Sequence, residues 1–120
     1  MVDNIMRLMG EVHFVSLLIG LSMFIMGLIT LRFPAKEINY LYGYRTKRSM
    51  KNQQAWDLAQ KVSTHEMIRS GLIIIVFALS GVIYNASTLI DSIAGTALML
   101  VMILLLFFRT ESVLKQLESK

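Results

Sequence analysis

The sequence predicts an all-α integral membrane protein with three transmembrane helices. The chain has 120 residues, of which 55% are hydrophobic, with a mean hydropathy of +0.60 and one proline. The apolar residues concentrate in three segments of about 20 residues, the length that a helix needs to cross a bilayer. This composition is unlike that of a soluble domain, and a backbone inside a bilayer must satisfy its hydrogen bonds within each helix.

The first predicted span covers residues 12–33. Its sequence begins VHFVSLLIGLSMFIMGLITL, in which His13 is the only ionisable side chain. Pro34 disfavours helical geometry at the residue before it, so the span should end at Phe33. The apolar run is longer than the core of a signal peptide and is followed by Arg32 instead of a small-residue cleavage site, which favours a retained anchor.

The second and third predicted spans form an antiparallel hairpin. They cover residues 65–84 and 89–108, and a tight turn at residues 85–87 joins them. The sequences STHE at 63–66 and TLID at 88–91 have the form of a capping box, in which an N-cap hydroxyl is followed by a carboxylate three residues later. Each of these sequences predicts the start of a span.

The connection between the first two spans is a loop over residues 34–64 that contains a short amphipathic helix. Its segment 49–62, SMKNQQAWDLAQKV, places Trp56, Ala59 and Val62 at three-residue intervals on one side. We expect this helix to lie at the membrane interface. Trp56 has two open roles there, anchoring in the interface or packing against the ends of the spans. All 120 residues then form a single three-helix module.

The distribution of lysine and arginine predicts the orientation in the membrane. Of the 12 Lys and Arg residues, eight lie from Arg32 to Arg69, in the loop or near the ends of the two spans that it joins, the C-terminal tail carries three, and the turn at 85–87 has none. Positively charged segments stay on the cytoplasmic side, so the loop and the C-terminus should be cytoplasmic and the N-terminus outside. The net charge of +4 is explained by this topology, and we expect no nucleic-acid partner.

A stripe of small residues predicts where the first span packs. Ser16, Gly20 and Gly27 fall on one face of the helix at an advance of about 100° per residue. Small side chains allow two helices to approach closely inside a membrane. We expect this face to contact either the helical hairpin or a second copy of the chain.

Catalytic and metal chemistry is not indicated. The central turns of the spans contain no ionisable residue, which argues against a pump driven by protons or sodium ions. Cysteine is absent, and His65 with Glu66 supplies too few ligands for a metal site, so we expect no metal or cofactor. Near the outer interface, His13, Tyr84 and Asp91 allow a small polar cluster. We prefer separate roles for them: a solvated His13, an interface anchor and a helix cap.

Aromatic, cationic and amide side chains crowd into residues 39–56, NYLYGYRTKRSMKNQQAW. The residues that we call the polar motif are Asn39, Tyr42, Gly43, Tyr44, Arg45, Thr46, Ser49, Asn52 and Trp56. The polar motif resembles the signature of the SdpI/YfhL family of small bacterial membrane proteins, N-x-x-(aromatic or Ile)-G-(aromatic or Ile)-R-(Thr/Ser) followed by a polar residue and a tryptophan. The resemblance extends over most of residues 12–110.

The resemblance implies a multi-pass protein of the bacterial cytoplasmic membrane. Some members of that family are immunity factors against a membrane-active toxin or bacteriocin, and some are signalling partners of a cytoplasmic repressor. The expected partners are therefore the lipid bilayer and a toxin peptide or a cytoplasmic regulatory protein, with a homo-oligomer also open. We expect immunity or membrane-stress signalling without catalysis. The alternatives are a lipid or solute permease that forms a homodimer around the glycine face, and an enzyme acting on lipid headgroups through Tyr44, Arg45 and His65.

The residues of the polar motif also indicate what it does physically. Gly43 between two tyrosines suggests a tight turn, and the planar guanidinium of Arg45 suits either a lipid phosphate or backbone carbonyls. Thr46, Ser49 and Asn52 are suited to cap the helix that follows. Two interpretations are open: a structural element that ties the loop beneath the helices, which we prefer, and a binding site.

Overall fold

The computed structural model describes residues 1–84 and 87–120, and for residues 8–11 it describes the backbone alone. The described part is helical and contains no strand. Its elements are α1 (Val2–Glu11), α2 (Phe14–Arg32), α3 (Gln53–Leu79), a short 3-10 turn (Ser80–Val82) and α4 (Thr88–Glu118). Helices α2, α3 and α4 are long and apolar enough to cross a membrane. The all-α fold with three membrane-spanning helices is thereby confirmed.

The helices differ in length, and this difference defines two ends of the bundle. Helix α2 has 19 residues, or about 28 Å, whereas α3 with its 3-10 turn and α4 each extend for about 45 Å. A bilayer's hydrocarbon core is about 30 Å thick. The start of α3 and the end of α4 therefore project beyond α2 on the same side, together with residues 33–52. We call this side the loop end, and we call the opposite side, with Tyr84 and Ser87, the turn end.

Helix α3 joins two predicted elements into one. The predicted amphipathic segment is helical from residue 53, but it continues directly into the second span. The predicted helix start at 63–66 was wrong, because residues 53–70 contain no proline or glycine and the Ser63 hydroxyl donates to the Gln60 carbonyl within the helix (3.4 Å). The helix begins instead after Asn52, whose Oδ1 accepts the N–H of Ala55 (2.8 Å).

The other boundaries also differ from the predicted ones. Helix α3 ends before the predicted residue 84, and α4 continues past the predicted residue 108. The N-cap of α4 is Ser87, whose hydroxyl accepts the N–H of Ile90 (3.2 Å), and not Thr88. Residues 85 and 86 of the predicted turn lie outside the described part of the chain. Helix α1 was not predicted, although its apolar side chains have helical spacing at Val2, Ile5 and Met6.

Helices α2 and α3 approach each other through glycines. A Cβ atom added to Gly20 would lie 2.8 Å from the backbone nitrogen of Ile75 and 3.1 Å from the carbonyl oxygen of Gly71. A Cβ atom added to Gly27 would lie 2.6 Å from a side-chain carbon of Ile68. Larger residues at these positions would separate the two backbones. Of the two partners considered for this face, the hairpin of the same chain occupies it.

Candidate binding site

The polar motif begins with a turn that is built by Asn39. Its Oδ1 accepts the N–H groups of Leu41 (2.9 Å) and Tyr42 (2.7 Å), an arrangement in which a side chain replaces a backbone acceptor. The hydroxyl of Tyr42 then donates to the carbonyl of Phe33, just after the last residue of α2 (2.7 Å). These bonds hold the first part of the loop against the end of α2.

The next residue, Gly43, has a backbone conformation that other residues rarely adopt. Its φ angle is +105°, and an added Cβ atom would lie 2.6 Å from Oε1 of Gln60. The Gln60 side chain binds both backbone groups of Tyr44. Its Oε1 accepts the Tyr44 N–H (2.7 Å), and its Nε2 donates to the Tyr44 carbonyl (2.8 Å). Gly43 is therefore required for the loop to reach α3.

A second turn leads from the loop into α3. The backbone N–H of Thr46 donates to Ser49 Oγ (2.7 Å), and the N–H of Ser49 donates to Thr46 Oγ1 (3.2 Å). Ser49 is fully buried, and its hydroxyl also lies within hydrogen-bonding distance of the carbonyls of Tyr44 and Thr46. Asn52 then caps α3. Among these residues, Asn52 caps the helix itself, while Thr46 and Ser49 shape the turn before it.

Trp56 fixes the start of α3 against the loop. Its side chain is fully buried, and its indole N–H donates to the carbonyl of Ala35 (2.6 Å). A buried indole needs such a partner, since an unpaired N–H is costly away from water. Of the two roles considered for Trp56, packing describes the structure, because the ring is not exposed to the surroundings of the protein.

Tyr44 connects the polar motif to α4. Its hydroxyl donates to Glu111 Oε1 (2.8 Å), and Arg48 pairs with the other oxygen of the same carboxylate (3.1 Å). Burial of the phenol, together with the Glu111 carboxylate beside it, raises the pKa of Tyr44 well above its ordinary value. Tyr44 also packs on a small apolar cluster of Ala55, Ala59 and Leu114. The loop, α3 and α4 are thus bound to one another at a single residue of the motif.

Arg45 is the exception within the polar motif. Its side chain is exposed, and among the described residues it has no hydrogen-bond or ion-pair partner. It borders a cavity of about 440 Å³ between α2, α3 and α4. The side chains and backbone around this cavity belong to Met26, Thr30, Leu41, Tyr42, Gly43, Tyr44, Arg45, Gln60, Ser63, Thr64, Met67 and Leu106. The motif residues 42–45 therefore line one side of an open cavity.

The residues of the enzyme alternative do not converge. His65 is exposed, its ring nitrogen lies 2.7 Å from the Lys61 carbonyl, and it borders a second cavity of about 450 Å³, which adjoins the first at Thr30, Gln60 and Thr64. Tyr44 and Arg45 border the first cavity and not the second. No group of three metal-ligating side chains occurs within residues 1–84 and 87–120. Tyr44, Arg45 and His65 are therefore not brought together at one site in the described part of the chain.

The turn end contains a different polar cluster. Asp91, in the first turn of α4, accepts the N–H of Val15 (3.0 Å) with one oxygen and the hydroxyl of Ser16 (2.6 Å) with the other. His13 Nδ1 lies 3.8 Å from Asp91 Oδ1, and the His13 ring stacks on Phe77 at 5.5 Å. The carboxylate thus satisfies one of the first N–H groups of α2, that of Val15, and lies at the positive end of that helix.

This cluster corrects two expectations. His13 was expected to be solvated, but it is 5% exposed, and Asp91 was expected to cap its own helix, but it caps α2. Ser87 already occupies the cap of α4, so the carboxylate is available to a neighbouring helix. Ser16 lies directly against Gly95 of α4 and so belongs to this contact. Tyr84 is 76% exposed and stands apart from the cluster.

Sequence reasoning missed two residues that position the polar motif, Gln60 and Glu111. Both are buried, and both bind the motif across a large separation along the chain. Glu111 gave a signal, since it is the first carboxylate after the apolar part of α4 and lies three residues beyond Phe108. Gln60 lies one helical turn after Trp56 and therefore on the same face of α3. Extending the motif along that face would have identified Gln60.

Fold and site together define a three-helix membrane module with a hydrogen-bonded polar loop at one end. The SdpI/YfhL protein family matches residues 36–110, more than half of the chain, and the chain belongs to this family. The uncharacterized protein YfhL of Bacillus subtilis (strain 168) is 49% identical over 55 residues, which are 46% of this chain and 50% of the relative. The chain spans about half the length of this curated relative in that match. No solved structure matches the chain.

Proposed function

We propose that this protein is an immunity or membrane-stress signalling module of the bacterial cytoplasmic membrane that works by contact and not by catalysis. The contact surface in this proposal is the loop end, where the polar motif lies. Its partners are a toxin peptide, its lipid environment or a cytoplasmic regulatory protein. Membership of the SdpI/YfhL family and the three apolar helices support this kind of protein.

The proposal includes an orientation, with the loop end in the cytoplasm. The cations that support it are concentrated at the loop end, where they would lie beside anionic lipid. The chain has no cysteine, so single cysteines can be introduced directly. Ile83→Cys and Gln54→Cys are suitable, since both side chains are exposed. We expect a membrane-impermeant thiol reagent to label Ile83→Cys, and not Gln54→Cys, in intact cells. The opposite pattern would invert the orientation.

The observation that carries the proposal is the free guanidinium of Arg45. Every other side chain of the polar motif that has a polar group is hydrogen-bonded inside the described structure. The residues on either side of Arg45, Tyr44 and Thr46, are bonded in this network, which positions the backbone of Arg45. The Arg45 side chain itself makes no bond to the described residues. A cation positioned in this way at a membrane surface is suited to an external partner. We therefore assign recognition to Arg45 and a supporting role to the rest of the motif.

A challenge experiment tests this function. A strain that lacks the gene is complemented with wild type, Arg45→Gln or Lys47→Gln, and exposed to membrane-active toxin peptides. Lys47 is the matched control, because it is also an exposed loop cation but lies outside the Arg45 cavity. We expect wild type and Lys47→Gln to protect the cells and Arg45→Gln to fail at equal membrane abundance. Equal protection by all three proteins, or by none of them, would contradict the proposal.

No observation favours the permease alternative. That alternative places a second copy of the chain on the glycine face of α2, but α3 of the same chain lies there. In this contact Gly20 lies against Ile75, and Gly71 lies against the backbone of Phe24, so the two backbones are close together. A permease would need another dimer surface with a polar path across it.

A further inference from the structure

We infer that the cavity beside Arg45 binds an anionic phospholipid, with the lipid phosphate at Arg45 and part of an acyl chain between the helices. This inference rests on the proposed function, because it names the ligand of the same loop end. It adds a specific lipid site to a module that otherwise has only a general contact with the bilayer. Four features of the cavity support it: its charge, its depth, its chemistry and its size.

The charge of the cavity favours an anion. Arg45 is its only charged lining residue, and none of its lining residues is Asp or Glu. Neighbouring loop cations are engaged elsewhere, since Arg48 pairs with Glu111 (3.1 Å) and Lys51 lies 3.9 Å from Glu118. An arginine binds a phosphate through two parallel N–H donors, which gives both strength and orientation. The fold therefore leaves one cation at the cavity without an internal counter-charge.

The depth of the cavity matches the boundary between headgroups and hydrocarbon. Thr30 lies two residues before the end of α2, and Met26 lies about 9 Å below that end at 1.5 Å per residue. Arg45 is in the loop that follows α2, beyond its last turn. The cavity thus extends from the level of lipid headgroups into the level of acyl chains.

The chemistry of the lining changes in the same direction. Next to Arg45 the cavity is lined by the polar residues Gln60, Ser63 and Thr64 of α3, and then by Met67 of α3 and Leu106 of α4, which are apolar. A phospholipid has the same order, with phosphate first, ester oxygens next and methylene groups last. Met26 is 47% exposed and Leu41 is 93% exposed, so the cavity is bordered by apolar groups at the protein surface. A lipid chain can enter the cavity there from the bilayer.

The size of the cavity is that of a ligand site. Its volume of about 440 Å³ lies within the range of about 300–1,000 Å³ that is usual for small-molecule pockets. A complete two-chain lipid exceeds this volume, so the second chain and the end of the first remain in the bilayer. The site is therefore a recess for the headgroup region and not an enclosed lipid chamber.

The test uses the full-length protein in neutral detergent with short-chain phosphatidylglycerol, phosphatidylcholine or inorganic phosphate. Binding is measured by native mass spectrometry and by the shift in melting temperature, since a ligand stabilises only the form that binds it. We expect phosphatidylglycerol to bind wild type and Lys47→Gln and to raise the melting temperature of both. We expect Arg45→Gln to weaken this binding about tenfold or more, because a charge-assisted hydrogen bond is lost.

A second variant keeps the test valid if Arg45→Gln is difficult to purify. Leu41→Glu adds a negative charge beside the cavity at a side chain that is 93% exposed, so it should repel the phosphate without disturbing the fold. Equal binding of phosphatidylglycerol to wild type and both variants would overturn the inference. Phosphate alone giving the same shift would also overturn it, since the acyl chain would then contribute nothing.

The outcome separates this inference from the proposed function. If Arg45→Gln loses protection in cells but binds phosphatidylglycerol like wild type, the lipid site is wrong and a protein partner of Arg45 takes its place. If Arg45→Gln loses lipid binding but still protects cells, the lipid site holds and the function that we propose for it fails. Both measurements use the same variant and the same Lys47→Gln control.

Discussion

The two ends of the helix bundle use polar side chains in different ways. At the turn end, Asp91 binds Val15 and Ser16 and lies beside His13, so each group contributes to the joining of helices. At the loop end, a larger network joins the loop to α3 and α4, and one motif side chain, Arg45, is left outside it. The comparison shows that the network at the loop end does more than hold helices together, since it also positions a free cation beside a cavity.

The largest expected effect tests whether the loop end is a rigid support. Trp56→Ala removes a fully buried indole, and comparable truncations cost about 3–5 kcal/mol. We expect the melting temperature in detergent to fall strongly and the loop of residues 33–52 to become accessible to protease. Trp56→Phe is the control, since it keeps an aromatic ring and loses the bond to Ala35 with only part of the buried volume. If Trp56→Ala melts like wild type, the loop end is not held by this residue.

The next effect concerns the turn end. Asp91→Ala leaves the N–H of Val15 without its acceptor and removes the carboxylate partner of the Ser16 hydroxyl, a loss of about 1–3 kcal/mol. We expect a lower melting temperature but unchanged binding of anionic lipid, because the substitution lies at the opposite end of the bundle. Ser16→Ala should cost less, since it removes a donor together with its need for a partner. A loss of lipid binding in Asp91→Ala would mean that the two ends are coupled.

A smaller effect is expected at Tyr44. Tyr44→Phe removes the donor to Glu111 and should cost about 1 kcal/mol at neutral pH. Because the pKa of Tyr44 is raised in the folded protein, its contribution to stability is present below the ordinary phenol pKa of 10.0 and is lost as the pH rises beyond it. Wild type should therefore lose more stability than Tyr44→Phe above pH 10.0.

The control for this experiment is Tyr42→Phe. Tyr42 donates to the carbonyl of Phe33 and not to a carboxylate. Melting temperatures measured from neutral to alkaline pH should converge for wild type and Tyr44→Phe, and Tyr42→Phe measures the effect of removing a phenol hydroxyl that does not bind a carboxylate. Parallel curves for wild type and Tyr44→Phe would show that Tyr44 does not supply the alkaline loss.

Much of this architecture follows from the sequence, because transmembrane helices are specified by long apolar segments that need no tertiary partner. The polar motif was also identifiable as a unit. The predicted break between the loop helix and the second span was wrong, because the helix that Asn52 caps continues through the sequence STHE. The partners of the motif, Gln60 and Glu111, depend on contacts across 16 and 67 positions of the chain. Such contacts exist only once the helices are packed, so local patterns do not contain them.

The role of Arg45 was the point that the sequence left open. The local sequence is the same whether the guanidinium binds backbone carbonyls of the protein or the phosphate of a ligand. The preferred interpretation, a structural element, describes Tyr44, Ser49, Asn52 and Trp56, each of which is bonded within the structure. It does not describe Arg45, which has no partner among the described residues. The structural interpretation therefore accounts for these bonded residues, and the binding site that we propose concerns Arg45.

We propose that Arg45 binds a ligand while the other residues of the polar motif support the fold. The most direct test is the melting temperature of Arg45→Ala in detergent, without lipid and with phosphatidylglycerol. Since Arg45 is exposed and has no partner within the described structure, we expect the variant to melt like wild type without lipid. With phosphatidylglycerol, wild type should gain stability and Arg45→Ala should not. A lower melting temperature of Arg45→Ala without lipid, or an equal gain of both proteins with it, would contradict the account.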